Sequence, residues 1–157
     1  MKLLQSKVPW LMILITTVAQ SMTAAQEVDR GLFTWPARGT ISSDYGYRRS
    51  PINGRRLFHN GIDIAAPRGT PVRAALSGEV GFVSRDNVYG NYVVINHHSG
   101  YRTLYAHLHV VRVKVGDSVE TGQRIGDVGS TGISTGPHLH FAVNQNGVIL
   151  NPRALMR

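Results

Sequence analysis

Seven histidines carry most of the chemistry that this chain could perform, and five of them fall in three short patterns. These are HNGID at residues 59–63, YAHLH at 105–109 and HLH at 138–140. The chain has no cysteine, which excludes disulfides, a Cys-ligated zinc or iron–sulfur site, and a cysteine nucleophile. Any metal would therefore be held by histidine and carboxylate side chains.

The HNGID pattern places His59 four residues before Asp63. On a straight strand these two residues would lie about 13 Å apart, too far to share one ion. Gly61 between them permits a bend that could bring the two side chains together. Asp63 then stands near the start of a strand-like IDIA run, and the pair is a candidate for one half of a metal site.

The two H-x-H patterns have a simpler geometry, because residues two apart on a strand point to the same face, roughly 6.5–7 Å from each other. His138 and His140 could both bind one metal, or one could bind it while the other faces the reacting water. Two exposed histidines on a strand face are the alternative. For His107 and His109 the same spacing does not decide which of them faces a site.

The acidic residues narrow the choice of metal ligands. Of the nine Asp and Glu residues, only Asp63 has a histidine at a ligand-like spacing, and there is no H-E-x-x-H motif. Two histidines and one carboxylate form a plausible catalytic zinc set that leaves one position open for water. With Asp63 used as a ligand, the proton-handling role would fall to the remaining histidines.

The elements that must position these residues are predicted to be short strands. Brief β-rich runs are separated by turn signals such as Ser-Gly, Gly-Asn and Asn-Gly, and no long segment has a 3.6-residue apolar period. This spacing predicts an all-β sandwich or barrel with few short helices. The predicted strands are 71–75, 79–84, 92–96, 102–106, 110–115, 124–128 and 139–144.

Residues 113–129 have glycines at regular intervals and look like the hairpin of barrel-sandwich folds, as in lipoyl carrier domains. A lipoyl carrier needs a lysine at a hairpin tip. Lys114 is the only lysine after the N-terminal region, and it lies in a strand-like run. The carrier function is therefore disfavoured.

Residues 1–25 have the three-part layout of a secretory signal peptide. Lys2 and Lys7 form a positive region, a largely apolar run follows from Trp10 to Ala19, and small residues provide a cleavage site. The run is about half of the roughly 20 residues needed to span a bilayer, and an uncleaved anchor is the alternative. Cleavage would leave residues 26–157 as one domain and lower the formal charge from +8 to +6.

Four longer blocks bring these patterns together in one order, from about residue 35 to 152. They are WPARGTISSDYGYR (35–48), HNGIDIAAPRGTPVRAALSGEV (59–80), YGNYVVINHHSGYRTLYAHL (89–108) and VGDSVETGQRIGDVGSTGISTGPHLHF (115–141), with a closing NP. In this combination the chain resembles the LytM/lysostaphin-type zinc metalloendopeptidases. The resemblance implies a mostly antiparallel β fold with a groove, of the barrel-sandwich or duplicated-hybrid kind.

The resemblance also implies roles for five residues. His59, Asp63 and His140 match the family's ligands for one zinc ion, and His107 and His138 match its two catalytic histidines. Which of His107 and His138 is the general base stays open.

Two other histidines depart from the usual family pattern. His109 stands where relatives more often have a small polar residue, and His98 doubles a more usual His97. His97 is predicted to be a structural residue at a strand end. Tyr45 and Tyr47 are expected either to line the groove or to play a structural role.

The function implied by this resemblance is hydrolysis of peptide cross-links in bacterial peptidoglycan by a water activated on zinc. D-Ala–diaminopimelate is the favoured bond and a pentaglycine bridge the alternative. A non-enzymatic wall-binding protein or activator of another wall hydrolase is the alternative function, and a zinc endopeptidase acting on other proteins is a further one.

The expected setting of the chain follows from the same resemblance and from the N-terminal pattern. We expect a monomer secreted across the inner membrane to the periplasm, with the extracellular space or cell wall as alternative. After signal cleavage no membrane span would remain, and a separate protein would regulate the enzyme. Nucleic acid is not expected as a partner, because recognition motifs are lacking and a secretory address argues against it.

Overall fold

The computed structural model describes residues 31–49 and 54–157. The predicted signal peptide, residues 1–25, lies outside the described residues. In the described residues no helix is long and apolar enough to cross a membrane.

Short antiparallel strands make up most of the described chain, with 3-10 turns at His98–Gly100 and Pro152–Leu155. This confirms the predicted all-β, mostly antiparallel fold. The strands are β1 (Thr40–Ser43), β2 (Gly46–Arg49), β3 (Arg56–His59), β4 (Ile62–Ala65), β5 (Pro71–Arg73), β6 (Gly78–Asp86), β7 (Gly90–Asn96), β8 (Tyr101–Val111), β9 (Ser118–Val119), β10 (Arg124–Val128), β11 (His138–Gln145) and β12 (Val148–Leu150).

Ten of these strands form one sheet whose main path runs β1-β4-β11-β8-β7-β6-β9. Strand β10 pairs with both β5 and β8, and β12 pairs with β11. Strands β2 and β3 form a separate two-stranded sheet. The order of the main path matters for function, because β4, β11 and β8 lie side by side although they are far apart in sequence.

Alternating side chains bury one face of these strands in a single core. Ile62 and Ile64 of β4 pack there with Leu139 and Phe141 of β11, and Tyr105 of β8 is fully buried beside them. The intervening residues of β4 and β11 point to the opposite face. A strand that is buried on one face must keep its register, so the core also fixes the position of every side chain on that opposite face.

One predicted strand, 110–115, is wrong. Residues 110 and 111 are the end of the long strand β8, and residues 112–115 are not in a strand. The chain turns there instead, because the backbone N–H of Lys114 donates to the carboxylate of Asp117 (3.0 Å) in a tight turn. The predicted strand 124–128 has the same bounds as β10.

Candidate functional site

Two neighbouring strands place Asp63 and His140 directly opposite each other. In the antiparallel pair of β4 and β11, Asp63 is the register partner of His140. Directly opposed residues share a face with their Cβ atoms about 4.5–5.5 Å apart. Because the core takes Ile62, Ile64, Leu139 and Phe141, the two polar side chains are left together on the groove face.

His59 reaches the same point from the other sheet, as the last residue of β3. The sequence predicted that Gly61 would permit the bend between His59 and Asp63. The structure gives this glycine a different task, because a Cβ at Gly61 would overlap the carbonyl oxygen of Phe141 and approach the His140 ring to 2.9 Å. A glycine is needed here so that the chain can pass close against β11.

The three side chains bring one ligand atom each to a common point. His59 Nε2 lies 3.1 Å from both Asp63 Oδ1 and His140 Nδ1, and His140 Nδ1 lies 2.9 Å from Asp63 Oδ1. The Nδ1–H of a neutral His59 donates to the carbonyl oxygen of Asp44 (2.8 Å), which leaves the lone pair on Nε2. The three ligand atoms thus converge on one point, and the set could hold one metal ion.

The burial of these groups also fits a metal. Burial would raise the pKa of Asp63, but the hydrogen bonds and charges of His140 and His59 outweigh it, so the pKa of Asp63 lies below its ordinary value. Burial lowers the pKa of His140 and outweighs the effect of Asp63. An ionised carboxylate and a neutral imidazole are the forms that coordinate metal.

The two ring nitrogens of His140 differ in their surroundings. Its Nε2 is buried and has no hydrogen-bond partner among the described residues. The ring therefore contacts His59 and Asp63 through Nδ1 alone, the atom that would bind a metal. Two histidines and a carboxylate with one open position are the usual ligands of catalytic zinc.

His107 reaches the groove because β8 has a bulge at this residue. Tyr101, Thr103 and Tyr105 alternate toward the core, and regular alternation would point His107 the same way. Instead His107 has φ +62°, the register of β8 with β7 shifts by one residue between Tyr105 and Leu108, and Leu108 is the next member of the core cluster. The extra residue turns the imidazole out of the core, a known use of bulges beside active sites.

His107 and His138 face each other beside the metal-binding cluster, with ring centroids 4.5 Å apart. Each ring has a backbone carbonyl within 2.8 Å of its Nδ1, from Thr131 and Gly136 respectively. In the neutral rings Nδ1–H donates to these oxygens, so both Nε2 atoms carry lone pairs. Burial lowers the pKa of His107 to about 4, which keeps its imidazole neutral at neutral pH. His138 Nε2 lies 3.9 Å from Asp63 Oδ1.

The remaining histidines lie elsewhere. His97 is buried, with Nδ1 2.9 Å from the carbonyl oxygen of Ser77 and Nε2 2.7 Å from Thr103 Oγ1, in agreement with its predicted structural role. His109 is exposed, with its ring beside the Arg68 guanidinium. His98 is exposed in the turn that leads to β8.

The two predicted groove tyrosines play a structural part. Tyr45 packs edge-on against Phe58 and donates its hydroxyl to the carbonyl of Ile149 (3.2 Å). Tyr47 packs on the other side of Phe58 and carries Arg56 over its ring. Neither tyrosine lines the cavity around the histidines.

Sequence reasoning missed three residues that do line this cavity. Tyr89 accepts a hydrogen bond from Asn60 Nδ2 (3.0 Å), and its ring lies 5.8 Å from that of His140. Arg48 lies on the opposite wall, with Nη2 3.4 Å from Asp63 Oδ2. Asn60 lies inside the HNGID pattern, but its spacing indicates no role for it. Tyr89 and Arg48 come from a turn and a strand that only tertiary pairing brings to the groove.

The model of Peptidase family M23 matches residues 57–152. Among relatives, the DD-carboxypeptidase/endopeptidase Mpg of Neisseria meningitidis serogroup B is 52% identical over 112 residues, which are 71% of this chain and 26% of that protein. The peptidoglycan DD-endopeptidase ShyC of Vibrio cholerae is 45% identical over 116 residues, 73% of this chain and 27% of that protein. The chain thus spans about a quarter of the length of these relatives.

Solved structures with the same fold include two peptidases. A zinc-containing peptidase from Vibrio cholerae is 39% identical with a TM-score of 0.71, covering 78% of this chain and 39% of that one. The catalytic domain of the antimicrobial peptidase lysostaphin from Staphylococcus simulans is 38% identical with a TM-score of 0.68, covering 73% of this chain and 90% of that one.

Proposed function

The chain belongs to peptidase family M23, and on that basis we propose that it is a zinc-dependent endopeptidase that hydrolyses peptide cross-links of bacterial peptidoglycan. The observation that carries the proposal is the convergence of His59, Asp63 and His140 on one point with two further histidines beside it. Relatives named as DD-endopeptidases support a bond between two D-configured centres, such as D-Ala–diaminopimelate, as the target.

In this proposal His59, Asp63 and His140 hold the zinc ion. When bound, zinc supplies a Lewis acid that lowers the pKa of water and polarises a carbonyl group. Three observations support this choice of ligands: the donor types, the ionised form of Asp63 that its histidine partners favour, and the neutral form of His140 that burial favours.

The chain's own residues then handle the protons. One of His107 and His138 accepts a proton from the attacking water at Nε2, while the water oxygen bonds to the scissile carbonyl carbon. That proton passes to the other histidine, whose ring centroid lies 4.5 Å away, and this histidine gives it to the leaving nitrogen as the C–N bond breaks. The carbonyl groups of Thr131 and Gly136 support this transfer, since they accept the Nδ1–H of each ring and leave its Nε2 able to take up and release a proton on the groove side.

The proposal extends to the location of the protein. A secretory signal peptide at residues 1–25 and a charge of +6 after its removal suit a periplasmic enzyme that meets an anionic wall polymer. We expect it to act there as a monomer under the control of a separate protein. The finding of Gln26 as the N-terminal residue of protein purified from the periplasm would test the cleavage site.

The test of the activity uses the purified full chain and isolated sacculi. We expect soluble fragments whose masses correspond to cleaved D-Ala–diaminopimelate cross-links, loss of this release with a chelator, and recovery with zinc. A zinc-loaded protein that binds sacculi and releases no fragments would instead identify a wall-binding or activator protein. Cleavage of Gly-rich peptides without cleavage of sacculi would point to another substrate.

A further inference from the structure

The groove around the histidines continues into a second recess on one side. The first cavity has a volume of about 390 Å³ and the second about 470 Å³. Four residues line both and stand where the two cavities meet: Arg48, Asp63, Thr135 and His138. The second recess is also lined by Ser42, Ser43, Arg49, Ala65, Gly136 and Pro137.

Arg48 is only partly used by the protein. Its one hydrogen-bond partner among the described residues is Asp63, and the Nη2–Oδ2 distance of 3.4 Å is long for a charge-assisted hydrogen bond. Its Nε is buried without a partner in the same part of the chain. A guanidinium has five N–H donors, so most of those of Arg48 have no partner among residues 31–49 and 54–157.

The charges around the recess favour an anion. Asp63 is the one carboxylate that lines either cavity within the described residues, and in the proposed function its charge is taken up by the metal. Arg48 and Arg49 then remain without a matching negative group. Arginine is the side chain best suited to bind a carboxylate, because its planar fork can donate two parallel hydrogen bonds.

We propose that Arg48 binds the free carboxylate carried by the residue on the amine side of the scissile bond. This inference rests on the proposed function. In a cross-link to the D-centre of diaminopimelate, that carboxyl carbon is three bonds from the scissile carbonyl carbon, a span of about 3–4 Å from standard bond lengths. Arg48 is within reach of such a group, because its Nη2 lies 3.4 Å from Oδ2 of the proposed ligand Asp63. A pentaglycine bridge has no such group.

This assignment also orients the substrate. The amine side of the scissile bond lies toward the second recess, and the acyl side lies toward Tyr89 and Val88 in the first cavity. His138 lines both cavities, whereas His107 lines the first alone among those described. The leaving nitrogen therefore lies nearer to His138, and His138 is the histidine that protonates it.

The experiment compares two synthetic cross-linked muropeptides that differ only in the amine-side carboxyl group, free in one and amidated in the other. The wild-type full chain is expected to cleave the free acid with a kcat/KM about 10- to 100-fold higher, the range for hydrogen bonds to a charged group. Arg48→Gln should lose this preference by slowing the free acid alone, with KM raised and zinc content unchanged. Arg48→Lys should keep part of the preference.

The matched control is Arg56→Gln, which removes the same charge from the same two-stranded sheet outside both cavities. It should retain the wild-type preference. Equal cleavage of both substrates by the wild type, with sacculi still digested, would overturn the role of Arg48 and leave the proposed function standing. Equal slowing of both substrates by Arg48→Gln together with loss of zinc would show that Arg48 only orients Asp63. Failure of the wild type on both substrates and on sacculi would overturn the two proposals together.

Discussion

Two clusters of histidines and oxygen-bearing side chains, one in the core and one in the groove, differ in how their polar atoms are satisfied. On the core face, His97, Thr103 and Tyr105 form a chain of hydrogen bonds that ends on the backbone of Ser77 and Ala75. On the groove face, the ligand atoms of His59, Asp63 and His140 point at one another. In the first cluster the protein supplies the hydrogen-bond partners itself. In the second, the converging ligand atoms would be satisfied by a bound metal ion.

The direction of the hydrogen bonds makes this difference concrete. In the core, the Ala75 N–H donates to the Tyr105 hydroxyl, and a neutral His97 donates from Nδ1 to the carbonyl oxygen of Ser77. The Thr103 hydroxyl bonds to both the Tyr105 hydroxyl and His97 Nε2 and so connects these two contacts. In the groove, the backbone carbonyls take the Nδ1–H groups of His59, His107 and His138, so the inward-facing atoms are acceptors. A cluster of acceptors without donors calls for a cation, and a closed chain of donors and acceptors does not.

The largest expected effect is removal of a groove ligand. His140→Ala should lose zinc and lower turnover of muropeptide substrates by about a thousandfold or more, since a catalytic metal supplies several kcal/mol. His138→Ala is the matched control, because its Nε2 lies 3.9 Å from Asp63 Oδ1 and outside the ligand set. It should lose activity and keep zinc. Metal analysis of both variants measures this, and full zinc retention in His140→Ala would falsify the ligand assignment.

The second prediction concerns a groove histidine that does not hold metal. His107→Asn should lower kcat by about 10²- to 10⁴-fold, the usual contribution of a general acid or base. Asparagine is chosen because it tolerates the positive φ of this bulge better than most residues. Zinc content and melting temperature should stay close to wild type. A variant that keeps near-normal kcat would remove His107 from the catalytic pair.

The position of His107 also shows where the sequence stops being informative. The alternation of Thr103 and Tyr105 would place His107 in the core, and only the pairing of β8 with β7 reveals the bulge that turns it outward. The all-β class, several strand positions and the candidate ligands were accessible from local patterns and from family resemblance. The pairing of Asp63 with His140, 77 residues apart, was not, because no local pattern specifies long-range register.

Gly61 and Arg48 extend this lesson. Gly61 was predicted to matter for its backbone freedom, but it matters because β11 passes so close that a side chain would collide with Phe141. Arg48 was one of 14 arginines and was not distinguished from a solvated surface charge. The role proposed for Arg48 depends on its short distance to Asp63, which only the folded structure shows.

A third prediction tests the closed cluster. Tyr105→Phe should lower the free energy of unfolding by about 1–3 kcal/mol, because it leaves the buried Ala75 N–H and one hydrogen bond of the Thr103 hydroxyl without a partner. Activity per folded molecule should be unchanged, since Tyr105 does not reach the groove. Urea denaturation measures the effect.

Tyr92→Phe is the control for this measurement, since it removes the same hydroxyl from a partly exposed tyrosine outside the core cluster. It should change stability by less than about 0.5 kcal/mol. If both variants unfold at the same urea concentration, the core chain of hydrogen bonds contributes nothing and the contrast between the two clusters fails.

The smallest expected effect is the pH dependence that the core cluster gives to stability. Burial lowers the pKa of His97 below 6.5, and the hydrogen bond to Ser77 only partly opposes this. As pH falls through 6.5, the unfolded chain takes up a proton at this residue before the folded chain does, so the stability present above pH 6.5 declines. His97→Asn lacks this titration. The wild type should therefore lose stability relative to the variant between pH 7.5 and 5, by at most about 1.4 kcal/mol per pH unit.

Urea denaturation of both proteins across this range measures the difference. Parallel curves would mean that His97 titrates alike in the folded and unfolded states, and its burial would then have no effect on the pH dependence of stability.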